Sequence, residues 1–512
     1  RQMCIRDRSN GDSTRRSWSL SLGQMVPADY SYRNGIKAPA CKNLILTVSR
    51  KPRIIQAVPI TAGPASFSAL LRRSFRKAFP PAVRGQGAYL WDARGKQYLD
   101  FSGSAAVNFI GHGVGEIAAA MGAQAKQVEF VHSGQFTTPV AEEYAAELLE
   151  FAGKNFEGGC IYFTCGGSES VETALKLARQ YQVEIGQAKR HQIISRGQSY
   201  HGSTLGALAV SGNRRRREMY LPMLRESAHI AFPYCYRCAF DCTDGCRNCG
   251  QEYAAELEKA IEATNGEAAA FIVEPVSGAT LGAVVPPPGY LHSVAEICHR
   301  HGVLFIADEV MTGMGRTGKN FAVEHWDVAP DLMVTAKGLS SGYAPLGAVI
   351  VSKKVADAIA CGSGAFLHGF TYNSHPISLA AGRAVLKFVQ QHDLVQRADS
   401  GQPDSIAAML RQELQALLET DAVGDVRGIG LLWAVELVAD KNNKRPFDAE
   451  LNFSARVAQA AMRRGLLVYP VQGCVDGIAG DHLVIAPPAI MTEEQIIDAV
   501  EKLREAIKES LA

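Results

Sequence analysis

Short apolar runs alternate along the chain with stretches whose apolar residues recur every three or four positions. That alternation is the signature of a sheet whose parallel strands are joined by crossover helices. Six runs predict strands: GCIYFT (159–164), RHQIIS (190–195), AAFIVEPV (269–276), VLFIADEV (303–310), DLMVTA (331–336) and LGAVIVS (346–352). The stretch SESVETALKLARQYQ (168–182) predicts a helix with Val171, Ala174, Leu175, Ala178 and Tyr181 on one face and Ser168 at its N-cap. GAYLWDARGKQYLDF (87–101) predicts a hairpin turning at Asp92-Ala93-Arg94-Gly95. After about residue 385 the style changes. Helical segments over 376–391 and 404–419 precede VRGIGLLWAVELV, and a last helix opens at Thr492 with the capping-box spacing T-E-E-Q.

The chain has 512 residues, 47% of them hydrophobic and 20% charged, which is more than one compact core holds. The pattern predicts an α/β protein: a large domain over 131–385 with a mostly parallel central sheet, and a smaller α+β domain over 386–512. Residues 66–130 are expected to join the small domain. No stretch supplies the ~18–20 consecutive apolar residues of a membrane-spanning helix, so no membrane partner is expected.

Charge changes the picture at one end. Residues 1–80 carry 15 Lys and Arg against Asp7, Asp12 and Asp29, whereas the remainder carries 38 basic and 48 acidic residues. An acidic body lacks the basic footprint of non-specific nucleic-acid binding. Residues 1–65 are expected to be disordered or a non-native extension. QMCIRDR (2–8) looks like translated adapter sequence, and the Arg/Ser-rich, acid-poor composition also fits a transit peptide. Twelve cysteines are too few for a disulfide scaffold, so a reducing, cytoplasmic location is expected.

Five pieces fall at strand ends, where open α/β sheets place their ligands. TCGGSES (164–170) is a glycine-rich turn entering a helix, whose free N–H groups and dipole favour an anion. SYHG (199–202) offers Tyr200 as a ring-stacking group, although core packing is its commoner fate. VLFIADEV ends in two acids, Asp308 and Glu309, which are either solvated or paired with a positive group. TAKGLSSG (335–342) places Lys337 at the end of an apolar run. It is either a surface lysine covering strand ends or a desolvated nucleophilic amine. HGFTYNSHP (368–376) is a polar loop leading into a helix. A phosphate turn, a stacking aromatic, a buried acid and a buried lysine together describe a site for pyridoxal 5′-phosphate (PLP).

From about residue 80 onward the chain resembles the class III (ω-amino-acid) aminotransferases of PLP fold type I. GAYLWDARGKQYLDF, the phosphate turn, YHG, IVEP, ADEVMTGMGRTG, AKGL, GFTYNSHP and RGIGLLWAVEL occur in that family's order. The resemblance implies that Lys337 forms the Schiff base with the cofactor and moves the substrate proton, and that Asp308 pairs with the pyridine nitrogen. Val310 and Tyr200 would flank the ring, and Gly167 and Ser168 would hold the phosphate. Glu274 would lie close to the cofactor. Thr371 would reach the phosphate of a neighbouring subunit, implying a homodimer or a dimer of dimers. The implied activity is ping-pong transamination of small molecules. Decarboxylase, aminomutase or phospho-lyase chemistry on the same machinery, and a non-catalytic PLP-binding homologue, are the alternatives.

Two departures bear on substrate. Ornithine- and 4-aminobutyrate-type members usually carry a glutamate where this chain has Ala279 and an arginine where it has Val484. Losing both partners of a carboxylate-recognising pair favours pyruvate over 2-oxoglutarate as acceptor, with an amine or ω-amino acid as donor. Arg427 is expected to be structural. Cys235, Cys238, Cys242, Cys246 and Cys249 lie within CYRCAFDCTDGCRNC and include two C-x-x-C pairs. A structural metal and reduced, unligated thiols are both open readings. RRRR (214–217) is expected to be a solvated or subunit-contacting face.

Overall fold

The computed structural model describes residues 69–512 apart from 76, 241–245 and 247–248. The extension expected over residues 1–65 lies outside the described residues. Phe79–Ala512 makes up one compact unit, and the unit before it, Arg1–Ala78, is described only in its last few residues.

Three sheets organise the chain. The N-terminal one holds β1 (Ala82–Gln86), β2 (Tyr89–Asp92) and β3 (Gln97–Asp100). The expected hairpin is β2–β3. Its turn is set by the Asp92 carboxylate, which accepts from the backbone N–H of Arg94 at 2.9 Å and of Lys96 at 3.0 Å, with Gly95 supplying the positive φ of 81°.

The central sheet has seven strands. In chain order they are β4 (Cys160–Thr164), β5 (Gln192–Arg196), β6 (Ala228–Ile230), β7 (Ala268–Val273), β8 (Leu304–Asp308), β9 (Leu332–Thr335) and β10 (Gly347–Val351). They lie in the order β4-β10-β9-β8-β7-β5-β6. Five strands, β9, β8, β7, β5 and β6, run parallel through four pairings, and β10 is antiparallel to both β9 and β4. Every residue of β7, β8, β9 and β10 is buried, as strands covered on both faces require. Val171, Ala174, Leu177 and Ala178 of the helix Gly167–Glu184 pack on one face. Helices Pro139–Ala152, Cys249–Ala263 and Tyr290–His301 pack on the other.

The third sheet comprises β11 (Val423–Ile429), β12 (Leu432–Leu437), β14 (Tyr469–Gln472) and β15 (Asp481–Ile485), all antiparallel, in the order β11-β12-β15-β14. The short β13 (Leu466–Leu467) instead crosses to the N-terminal sheet and pairs in parallel with β3. The final helix Glu493–Leu511 carries the expected capping box, with Thr492 and Gln495 bonding reciprocally.

Four details differ from the sequence reading. Gly166, not Ser168, is the N-cap of the helix Gly167–Glu184, and Ser168 lies in its first turn. Leu177, not Leu175, joins the fully buried face of that helix, and Leu175 is half-buried at its edge. β7 ends at Val273 and β8 at Asp308, so Glu274, Glu309 and Val310 sit in the connections beyond. β6 was not expected, since three residues carry too little pattern.

Candidate active site

The C-terminal ends of β8 and β9, the start of the helix Gly167–Glu184 and the loop after β5 enclose a cavity of about 340 Å³. Asp308 and Lys337 both line it, together with Gly167, Ser168, Tyr200, Glu274 and Val310. Of the predicted site residues only Thr371 lies elsewhere, on the exposed loop before the helix Pro376–Gln391.

Lys337 leads out of β9 with a φ of 42°, a left-handed conformation that carries strain for any residue with a side chain. Burial drives its pKa down to about 8, although the nearby Asp308 and Glu274 carboxylates pull the other way. Lys337 is half-buried and lines the cavity, which places it inside a cleft and not on an open surface. The carboxylate of Glu274 is pushed up by burial and accepts from the Gly278 N–H at 3.0 Å.

The two acids of VLFIADEV have separate fates. Asp308 ends β8 facing the cavity, and its Oδ1 accepts from the Val310 N–H at 3.1 Å. Glu309 turns away and is fully buried. Its carboxylate accepts from the Val323 N–H at 2.8 Å and from the Thr312 hydroxyl, and burial raises its pKa to about 7.

Gly166 caps its helix without a side-chain bond, so the N–H groups of Gly167 and Ser168, which line the cavity, stand at the positive end of the helix dipole. A Cβ at Gly167 would come within 3.0 Å of Val310 Cγ1, so only glycine lets the turn and Val310 converge. Ser168 Oγ accepts from the Ser203 N–H at 3.0 Å, tying the helix start to the loop that carries Tyr200. The cavity thus presents anion-binding N–H groups, an acid, an amine and an apolar wall that includes Val276 and Val310. That donor set fits a planar ring bearing a phosphate, an aldehyde and a basic nitrogen.

Two contributors escaped sequence reasoning. His201 Nδ1 lies 2.7 Å from Asp308 Oδ2, and both side chains are buried. His201 Nε2 has no partner among the described residues, so the proton belongs on Nδ1, donated to the carboxylate. The signal was the histidine inside SYHG together with a buried acid in need of a donor. Arg216 is the other: its guanidinium lies 4.2 Å from the ring centroid of Tyr200, which gives one member of RRRR a stacking contact. Arg214 and Arg215 are exposed, as expected.

Arg427 is structural. Its guanidinium bonds Asp425 and Glu436 at 2.7 Å each, and the carbonyls of Leu281 and Gly282 at 2.5 and 2.7 Å. Ala279 is buried, and its carbonyl accepts from His482 Nε2 at 2.8 Å. Val484 is fully buried in an apolar cluster with Val276, Leu432, Ala434 and Ala486. Val276 carries that cluster to the cavity wall.

Comparison with known proteins agrees with this architecture. The family model for class-III aminotransferases matches residues 72–507. An uncharacterized aminotransferase of Bacillus subtilis, YodT, is 38% identical over 86% of this chain and 97% of its own length. A (S)-enantioselective omega-transaminase from Thermomicrobium roseum is 38% identical with a TM-score of 0.77, covering 85% of this chain and 94% of that one. An amine transaminase from an uncultivated Pseudomonas species, solved in its PLP-bound form, is 33% identical with a TM-score of 0.79, covering 88% and 99%. The chain belongs to the class-III aminotransferases, a PLP-dependent family of fold type I.

Proposed function

We propose that this aminotransferase moves the amino group of an amine or ω-amino acid to a keto acid in a ping-pong cycle, with pyruvate preferred over 2-oxoglutarate. The observation that carries the reading is the one cavity in which a half-buried, pKa-lowered Lys337 and the buried Asp308 come together beside a helix start that has no side-chain cap. When bound, PLP supplies an aldehyde carbon that carries the amino group and a ring that accepts the electrons released at the substrate Cα.

The chain's own residues do the rest. Lys337 Nζ takes the proton from the substrate Cα and returns it on the cofactor side, a role suited to an amine that titrates near the working pH. Asp308, oriented by His201, keeps a proton on the ring nitrogen through a charge-assisted hydrogen bond. The N–H groups at Gly167 and Ser168 hold the phosphate, Val310 and Tyr200 flank the ring, and Glu274 closes one side. Thr371, exposed in its own subunit, serves the phosphate of a second copy, so the working unit is a homodimer or a dimer of dimers. The partitioning into a large domain over 131–385 and a small one over 66–130 and 386–512 belongs to this same reading.

The acceptor preference rests on the wall around Val484. Glutamate and arginine, which recognise a second carboxylate in relatives of the 2-oxoglutarate type, are replaced by Ala279 and an apolar cluster, and Arg427 is already tied to Glu436. The exposed thiols of Cys160 and Cys361 suit a reducing compartment such as the cytoplasm. Among the described residues no helix is long and apolar enough to cross a membrane.

An amino-donor screen against pyruvate and 2-oxoglutarate tests the proposal. Amine alone should convert the cofactor to its amine form, and keto acid should restore the yellow, borohydride-sensitive band. Release of carbon dioxide or inorganic phosphate in place of that exchange would assign the decarboxylase or phospho-lyase alternative. A protein that never acquires the yellow band would be a homologue without the chemistry.

A further inference from the structure

The cysteine-rich loop between β6 and the helix Cys249–Ala263 is not used by the proposed chemistry, and among the described residues none of its thiols lines the Lys337 cavity. The sulfurs of Cys235, Cys246 and Cys249 nevertheless all lie within 4.8 Å of one another. They come from a short turn, Cys235–Arg237, and from the residues leading into the helix. Chain neighbours alone do not explain their convergence, because Cys235 and Cys246 are brought together across the loop, with Cys246 Sγ 3.8 Å from the Cys235 carbonyl. Cys246 adopts a φ of 63°, and Cys249 Sγ lies 3.6 Å from the Cys246 carbonyl. Cys242 lies outside the described residues.

We propose that Cys235, Cys238, Cys246 and Cys249 bind one structural zinc ion as thiolates. Tetrahedral zinc with Zn–S bonds of about 2.3 Å sets its sulfurs about 3.8 Å apart, so the three clustered sulfurs reach that spacing by closing about 1 Å. Cys238 completes the first C-x-x-C. Its Sγ lies 3.7 Å from Tyr253 Oη, on the helix that Cys249 opens, and the C-x-x-C spacing with Cys235 is what assigns it the fourth position. Each thiol gives up its proton to solvent on coordination, so zinc uptake releases up to four protons and involves no electron transfer. Cys249 opens a 15-residue helix, whose dipole favours the thiolate. The soft, all-sulfur donor set selects zinc over calcium or magnesium.

The ion would act as a staple. The same loop carries Tyr234, whose hydroxyl bonds Glu436, and Arg237, which bonds Glu436 at 2.8 and 2.9 Å. Glu436 in turn holds Arg427, and Arg427 holds the carbonyls of Leu281 and Gly282 beyond Ala279. Fixing the loop therefore fixes the support behind one wall of the cavity.

The test is metal analysis of the full chain, purified from zinc-supplemented medium and washed with a weak chelator. About one zinc per chain is expected, retained in Cys361→Ser, a control at an exposed thiol away from the cluster, and lost to background in Cys246→Ser, Cys249→Ser and Cys238→Ser. Since a variant can fail to fold, the unmutated protein is also titrated with a mercurial in the presence of a zinc indicator. Zinc should appear in step with thiol modification, and cobalt exchanged into the site should show thiolate charge-transfer bands. A zinc-free protein, a disulfide within the loop by mass, or iron with inorganic sulfide would each overturn the proposal. Full zinc retention in Cys238→Ser would overturn the four-thiolate ligand set.

Discussion

His201 donates through Nδ1 to Asp308 Oδ2 at 2.7 Å, with both side chains buried. A carboxylate at a strand end is thereby held in one orientation by a residue from a different loop. Asp308→Asn removes the charge that the ring nitrogen needs, and the first half-reaction should slow by about 10²–10³-fold, the range for losing one preorganised electrostatic partner. His201→Ala leaves the charge and removes its orientation, for which about a 10–100-fold loss is expected. Stopped-flow absorbance with a saturating amine separates the two, and equal losses would mean that His201 does more than orient. A shift in the pH dependence of the visible band in His201→Ala would mark orientation and not mere packing.

Lys337 should make cofactor loading pH-dependent. Its ammonium form cannot attack an aldehyde, and its pKa is lowered by burial to about 8, so the rate at which the cofactor-free chain turns yellow should rise through that pH and level off above it. Stability follows the same titration. Between about 8 and the ordinary lysine value of 10.5 the unfolded chain binds more protons than the folded one, so the cofactor-free protein should gain stability as pH rises. Lys337→Met should abolish both dependences. Loading already maximal at pH 6 would contradict the buried-amine assignment.

Glu309 should be dispensable for catalysis and visible in the stability profile. Burial raises its pKa to about 7 from the ordinary 4.5, so the folded chain holds the extra proton in that window and stability should fall as pH rises from 4.5 to 7. Glu309→Gln keeps an acceptor for the Val323 N–H and should flatten this slope in thermal melts, with kcat changed by less than about threefold, since no group touching substrate is altered. A large loss of kcat would put Glu309 in the chemistry after all.

Ala279→Glu combined with Val484→Arg should raise activity with 2-oxoglutarate relative to pyruvate. Val484→Arg alone buries an unpaired charge among Val276, Leu432, Ala434 and Ala486 and should cost about 3–5 kcal/mol, seen as a lower Tm. The glutamate should recover part of that loss. If the double variant regained stability without changing the acceptor ratio, acceptor choice would lie elsewhere in the cavity.

The strands of the central sheet were legible because residues buried on both faces leave unbroken apolar runs, and VLFIADEV is one of them. Strand direction was not, since β10 is as apolar as β9 and yet runs against it. The lysine, the acid and the phosphate turn stood out through their order along the chain. Partnerships across the fold did not: nothing local to SYHG indicates that His201 will meet an acid 107 positions later. Nor does RRRR reveal that Arg216 alone will find Tyr200. The cysteines were visible as two pairs, but the closeness of Cys235 to the second pair is a property of the folded loop.

The parallel pairing of β3 with β13 sets an order of assembly. Lys96, in the turn before β3, bonds the carbonyl of Arg463, 367 positions further on, and Leu99 is in register with Leu466. During synthesis the first hairpin is therefore made long before its partner strand exists and must wait with an open edge, a state prone to joining other chains. Completion of the N-terminal sheet waits for the last part of the chain to emerge. Truncation before Leu466 should thus leave a protein that aggregates through its beginning, although the missing residues are near its end.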